Sequence, residues 1–290
     1  MQRAGLVARL TLPEALNALA EAAVWLNGKG CTPVIDSESA EQAGIAGRWT
    51  QASRETLARD VDVIIAFGGD GTLLMAAHAV AQAGEDTPLL GINLGHLGFL
   101  TEIDRSEMHD ALNALIGGKF ELETRLLVGG RVVRQDAVVI DRVALNDIVV
   151  TRGALSRMME IDVHVDGRFV CQVKADGVIV ATATGSTAYN LSAGGPIVHP
   201  AVDALVLTPI APHTLTQRPL VLPADVEITL EPAVSVDADI VLTYDGQVGW
   251  PLLAGDTVII SRATRVLRFV RVSGRTHFDV LREKLKWGNA

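Results

Sequence analysis

The stretch VDVIIAFGGDGTLL, Val61–Leu74, decides the architecture. Val61–Gly69 is rich in β-branched residues, apolar at alternate and intervening positions alike, and ends in glycine, so it predicts a strand buried on both faces. Thr72–Gln82 (TLLMAAHAVAQ) predicts the helix that follows it. A doubly buried strand running through a glycine-rich turn into a helix belongs to a parallel sheet with helices on both sides. In open sheets of this kind ligands bind at the carboxyl ends of the strands. FGGDGTLL, Phe67–Leu74, lies at such an end.

The flanking sequence repeats the alternation. Ala4–Leu10 predicts a strand; Pro13 opens a helix that carries Leu16, Leu19, Ala20, Ala23 and Leu26 at spacings of three and four and closes at Gly28. Cys31–Asp36 and Pro88–Asn93 predict further strands, and Asp104–Gly118 a helix with an acidic first turn. The pattern changes near Phe120. From there short β-rich runs dominate: Leu126–Val133, Ala137–Val139, Asp147–Thr151, Met159–Val165, Arg168–Val173, Gly177–Thr182, Val226–Leu230, Ile240–Thr243 and Thr257–Ser261. Turn signals such as Asp166-Gly167 and Asp245-Gly246 separate them. The expectation is an α/β domain over residues 1–120, an all-β domain, sandwich or barrel, over 121–264, and a tail, 265–290, that returns to the first domain with a helix at Thr276–Lys286.

Composition narrows the class of function. The chain has 290 residues, 49% hydrophobic and 20% charged, which is ordinary for a folded globular protein. Its 34 acidic residues outnumber 25 basic ones, and a net charge of −9 argues against general binding to nucleic acid or anionic membranes. Cys31 and Cys171 form no Cys-x-x-Cys pair, so neither a zinc site nor a redox pair is expected. The charges at Arg3, Arg9, Glu14 and Glu21, with Pro13, leave no signal-peptide core, and the expected compartment is the cytoplasm. No P-loop, G-x-G-x-x-G after the first strand, H-E-x-x-H or G-x-S-x-G occurs. Asp141 and Asn146 have the spacing of a protein-kinase catalytic loop, but Val139 and Ile140 stand where His-Arg should be, and the match is read as chance.

Three stretches carry candidate chemistry. In Gly68–Thr72 (GGDGT) the glycines let a ligand approach main-chain N–H groups, and Asp70 offers a carboxylate that can accept a hydroxyl proton or bind a ribose diol. The alternative is a tight turn with Asp70 as a helix cap. Asn146-Asp147 stands at the start of a strand, where an Asx turn is the competing explanation. Asp176–Pro196 (DGVIVATATGSTAYNLSAGGP) runs from a buried strand into a loop of small and hydroxyl residues suited to ribose or phosphate, with Tyr189 able to stack on a base. Two such loops, one per domain, suggest a ligand held between the domains.

These residues, with LND at Leu145–Asp147, GINLGHLGFLTEI at Gly91–Ile103 and PHTLTQRPLVLP at Pro212–Pro223, resemble the NAD kinase family over nearly the whole chain and in order. The TGSTAYNLSAGGP stretch is highly specific; the GGDG loop alone also resembles those of diacylglycerol-type lipid kinases and phosphofructokinases. The resemblance implies transfer of the γ-phosphoryl of ATP, or of a polyphosphate, to the 2′-hydroxyl of the adenosine ribose of NAD, giving NADP. It implies Asp70 as proton acceptor with Gly71 beside it, and dinucleotide contacts from Asn146 and Asp147. Further substrate contacts fall on Arg157, Lys174, Asp176, Thr184, Thr187, Ala188, Tyr189, Asn190, Leu191, Ser192 and Gln247. It implies Mg²⁺ or another divalent cation arriving with ATP rather than in a dedicated protein site, and a homo-oligomer, dimer or tetramer. Two departures bear on substrate choice: Met75 stands where some members carry a basic residue, and Lys174 occupies a variable position. A lipid kinase using the same loop, and a dinucleotide-binding regulator without turnover, are the competing readings.

Overall fold

The computed structural model describes residues 1–153, 159–233, 239–272 and 274–287. They form two compact units, Met1–Thr124 with Leu267 onward, and Arg125–Val266.

In the first unit β1 (Arg3–Ala8), α1 (Pro13–Gly28), β2 (Thr32–Asp36), α2 (Ser37–Gln42), β3 (Thr50–Ala52), α3 (Arg54–Leu57), β4 (Val63–Gly68), α4 (Asp70–Ala83), β5 (Leu89–Asn93), β6 (Ile103–Asp104) and α5 (Met108–Ile116) follow in order. The strands line up as β5-β4-β1-β2-β3, with β6 beside β5. Each of these pairings is parallel. All six residues of β4 are buried, as its sequence requires of a central strand with helices on both faces. α1 turns Ala15, Ala18, Leu19, Ala22, Ala23 and Leu26 onto the sheet, where they pack with Leu6, Ile65, Phe67 and Ile92. The Asp104–Gly118 helix begins later than its pattern suggests: Arg105–Glu107 is a 3-10 turn, and Asp104 and Glu107 form a reciprocal capping box ahead of α5.

The second unit is all-β. β7 (Glu121–Arg134), where the chain leaves the first unit, is followed by β8 (Ala137–Ala144), β9 (Asp147–Arg152), β10 (Met159–Val165), β11 (Arg168–Ala175) and β12 (Gly177–Thr182). After α6 (Tyr189–Ser192) come β13 (Ala204–Ile210), β14 (Leu220–Pro223), β15 (Ile228–Pro232), β16 (Ile240–Tyr244), β17 (Val248–Leu252) and β18 (Thr257–Arg271). One antiparallel sheet has the order β14-β13-β12-β9-β16-β17; β11-β10-β15-β18, with β7 and β8, forms the other. Ile148, Val150, Val178, Val180, Leu205 and Leu242 of the first sheet share a core with Val128, Val132, Ile161, Val163, Leu230, Val258 and Ile260 of the second, which makes the unit a sandwich. The outer face of the six-stranded sheet is covered too: Val149, Ile179, Ala181 and Val206 pack under Ala193, Val198 and Ile210. That cover is why β12 is buried at every position, and it seats the 184–198 segment on the sheet.

β18 runs for 15 residues, far past Ser261, and its end pairs with β5 in the first unit through Phe269 and Leu89. α7 (His277–Leu285) then completes that unit, opened by a Thr276–Asp279 capping box. Among the described residues no helix is long and apolar enough to cross a membrane.

The central strand of the first unit sets its stability. Ile65→Ala is expected to cost about 2–5 kcal/mol, because Ile65 is fully buried in this core; urea unfolding should show a lowered midpoint with an unchanged slope.

Candidate active site

Asp70 is the first helical residue of α4, entered from β4 through Gly68 and Gly69. Its carboxylate does not cap its own helix. It reaches instead to Phe99–Thr101, which returns along the same edge of the sheet after β5. Phe99 N–H donates to Oδ2 at 2.8 Å; Leu100 N–H and Thr101 N–H donate to Oδ1 at 3.1 and 2.9 Å, and the Thr101 hydroxyl donates to Oδ1 at 2.9 Å. One carboxylate thus organises four donors of a loop about thirty residues away in sequence. A Cβ on Gly98 would collide with the Asp70 carboxyl, so this approach requires glycine. Asn93, buried at the end of β5, ties the loop from within: its amide donates to the His96 carbonyl at 2.6 Å and accepts from Gly95 N–H at 2.9 Å. Gly71 follows Asp70 in the first turn of α4.

The second unit builds a cavity of its own. Asn146 and Asp147 open β9, and Asp245 stands at the β16–β17 turn with φ +51°, followed by Gly246 at φ +64°. These values suit an Asp-Gly hairpin turn. The Asp245 carboxylate accepts from Leu145 N–H at 2.8 Å, Asn146 N–H at 2.7 Å and Asp147 N–H at 3.0 Å. It thereby fixes the backbone of the LND segment from a strand a hundred residues on. Gly185 presses on the other side, where a Cβ would collide with the Asn146 carbonyl, and Thr182 donates its hydroxyl to the Leu145 carbonyl at 2.6 Å. The resulting cavity, about 270 Å³, is lined by Asn146, Asp147, Ala188, Tyr189, Thr243 and Asp245 among others. Asp147 is only 4% exposed and its carboxyl accepts no hydrogen bond from the described residues. Burial, with Asp245 close by, pushes its pKa up to about 7.

The remaining expected residues divide by location. Ala188 and Tyr189 line this cavity, Tyr189 half exposed. Asn190 is fully buried and fully bonded: its amide donates to the Ser186 and Pro196 carbonyls and accepts from the Thr208 hydroxyl, so it shapes the loop from inside. Thr184 accepts from Arg125, and Thr187 donates to the Thr184 carbonyl. Leu191 is half-buried and Ser192 exposed, neither against the cavity. Lys174 pairs with Glu160 at 2.7 Å across β10 and β11, and Asp176 pairs with Arg152 at 2.7 Å. Gln247 is exposed, just past the Asp245-Gly246 turn. Arg157 lies outside the described residues. The sequence reading gave Asp245 only a turn, and Phe99–Thr101 only a place in the resemblance. The Asp-Gly dipeptide marks the bend but carries no signal of its distant partner.

No group of three or more His, Cys, Asp or Glu side chains among the described residues is arranged to hold a metal ion.

The ATP-NAD kinase N-terminal domain family matches residues 5–120, and the ATP-NAD kinase C-terminal domain family matches residues 145–272. A protein named NAD kinase from Geotalea daltonii is 42% identical over 288 residues, covering 99% of each chain. One of the same name from Moorella thermoacetica is 43% identical over 290 residues, covering all of this chain and 91% of its own. Among solved structures, yeast NADH kinase complexed with NADH superimposes with a TM-score of 0.87 at 27% identity, covering all of this chain and 89% of that one. An NAD kinase from Archaeoglobus fulgidus in complex with ATP does so with a TM-score of 0.74 at 26% identity, over 98% of this chain and 99% of that one.

The buried Asp147 makes stability depend on pH. Its pKa is raised in the fold above the model-peptide value of 3.8, so the folded state holds the extra proton between about pH 4 and 7 and loses stability as pH rises through that window. Asp147→Asn should flatten this fall and leave the variant more stable than the parent at pH 8, by a few kcal/mol at most; thermal unfolding of both proteins from pH 5 to 8 checks it.

Proposed function

The chain belongs to the NAD kinase family, and from that membership we propose that Asp70 accepts the proton as the 2′-hydroxyl of the adenosine ribose of NAD attacks the γ-phosphorus of ATP. The 2′-oxygen forms a bond to phosphorus, the bond from phosphorus to the β,γ-bridging oxygen breaks, ADP leaves, and the hydroxyl proton passes to the carboxylate. Phosphoryl transfer asks a protein mainly for positioning and charge stabilisation, and only one proton has to be moved. The observation that carries the assignment is the Asp70 carboxylate at the carboxyl edge of the parallel sheet, held rigidly by four donors yet half exposed.

Asn146 and Asp147 bind the dinucleotide in this reading. Asp147 supports the role because its buried carboxyl lacks donors among the described residues, and a pair of ribose hydroxyls would supply them. Tyr189, half exposed on the same cavity, offers a flat face to a base. The cation in this reading is Mg²⁺ arriving with ATP, and it would supply positive charge that offsets the charge on the phosphates. The contact between copies of the chain is assigned to the edge strands β11 and β14, which expose Phe169, Val170 and Val221. The relatives at 42–43% identity are named NAD kinases and give the lipid-kinase and binding-only readings no support.

Asp70→Asn should lower NADP formation by about 10²- to 10⁴-fold while the fold persists. Incubation with NAD, Mg²⁺ and ATP, coupled to an NADP-specific dehydrogenase, measures it, and near-parental turnover would remove Asp70 from the role. Asp147→Ala should raise KM for NAD at least about tenfold, the loss expected for a charged hydrogen-bonding partner; an unchanged KM would reduce the LND segment to a turn.

A further inference from the structure

The four donors on Asp70 are unequally divided. A carboxylate offers two oxygens and about four lone-pair positions. Oδ1 takes three donors, from Leu100 N–H, Thr101 N–H and the Thr101 hydroxyl. Among the described residues Oδ2 takes only Phe99 N–H. A proton arriving at Oδ1 would face three hydrogens already aimed at it; Oδ2 keeps room for one. The two oxygens of a free carboxylate are equivalent, so the difference is made by the loop.

We propose that Thr101 is a positioning residue for the reaction: its hydroxyl locks the Asp70 carboxyl so that the less occupied oxygen, Oδ2, is presented to the substrate hydroxyl and receives its proton. The inference rests on the reading of Asp70 as proton acceptor. Thr101 supplies the one side-chain donor among the four, and it is fully buried. Its backbone is pinned as well. Its carbonyl accepts from Gly98 N–H at 3.1 Å and from the Asn93 amide at 3.3 Å. Its methyl lies over Gly91, where a Cβ would come within 2.7 Å of Thr101 Cγ2. The next residue is gripped by the returning tail: Arg275 donates to the Glu102 carbonyl at 2.5 Å, and Arg271 pairs with the buried Glu102 carboxylate at 2.5 Å. Lys284 of α7 lies 5.5 Å from the centre of the Phe99 ring. With Phe99 and Glu102 held on either side, the hydroxyl is kept on the Asp70 carboxyl.

The hydroxyl and the methyl can be tested apart. Thr101→Val keeps the shape and removes the donor; Thr101→Ser keeps the donor and removes the methyl over Gly91. With steady-state kinetics in NAD and ATP, Val should lower kcat about 10-fold to 100-fold, the range for one hydrogen bond to a charged group, with KM for NAD within about twofold. Ser should restore kcat to within about threefold of the parent even though its melting temperature falls. Parental kcat in the Val variant, or an equal loss in both variants, would overturn the proposal, the second result meaning that packing alone is at work. If the Val variant does not fold, Gly91→Ala, which presses on the Thr101 methyl, should lower kcat with KM for NAD held, and parental kcat there would overturn it equally. Asp70→Asn in the same assay separates the two levels. An inactive Asp70→Asn beside a fully active Thr101→Val leaves the proton acceptor standing and removes Thr101, whereas an active Asp70→Asn removes both.

Discussion

The first unit is organised around one carboxylate that accepts hydrogen bonds from the main chain of a distant loop. A loop at the edge of a parallel sheet has no ladder to satisfy its N–H groups, and each one left without a partner is costly. Asp70 meets three of them at once and gives Phe99–Thr101 a single shape. The same bonds hold the side chain in one orientation. The surroundings are shaped to this interaction: the glycine at 98 admits the carboxyl, and Asn93 closes the loop behind it.

The second unit solves the same problem with the roles separated. Asp245 satisfies the three N–H groups of Leu145–Asp147, as Asp70 does for its loop. Asp147 is left buried beside Asp245 with no donor among the described residues, and burial first, then that neighbour's charge, raise its pKa. Two carboxyls within one small cavity thus differ in kind. One is structural and saturated, the other is open and answers to whatever donors enter. Asn190, expected to touch substrate, belongs with the structural set, because its amide bonds to carbonyls on both sides of its own loop.

The parallel sheet and the Asp70 edge are legible in Val61–Leu74, since double burial and a glycine exit admit few other folds. The sandwich is legible from short runs and Asp-Gly turns, but not in full. β13 escapes notice although all but its last residue is buried, for Pro209 weakens a strand pattern; β14 pairs only Ala204–Leu207, so the strand is an edge where the proline falls. β18 is cut short because its middle alternates exposed arginines with threonine, the pattern of a strand half open to solvent. Asp70, Asn146 and Asp147 stand out as residue types in glycine-rich or strand-opening contexts. Asp245 and Thr101 do not, because their work depends on partners 98 to 100 and 31 residues away, and pairing at such range leaves no periodicity to read.

The tail has a consequence for how the molecule is made. The first unit borrows its final residues, Leu267 onward, from the far end of the chain, and Arg271 and Arg275 reach Glu102 from there. During synthesis the ribosome delivers the intervening sandwich whole before those arginines emerge. The sandwich can therefore settle as an insertion while the sheet around it waits, short of its outermost strand and last helix. The loop that grips Asp70 gains the Arg271 and Arg275 anchors only after the sandwich has been made, so a nascent chain carries the carboxylate long before it carries the frame that holds it.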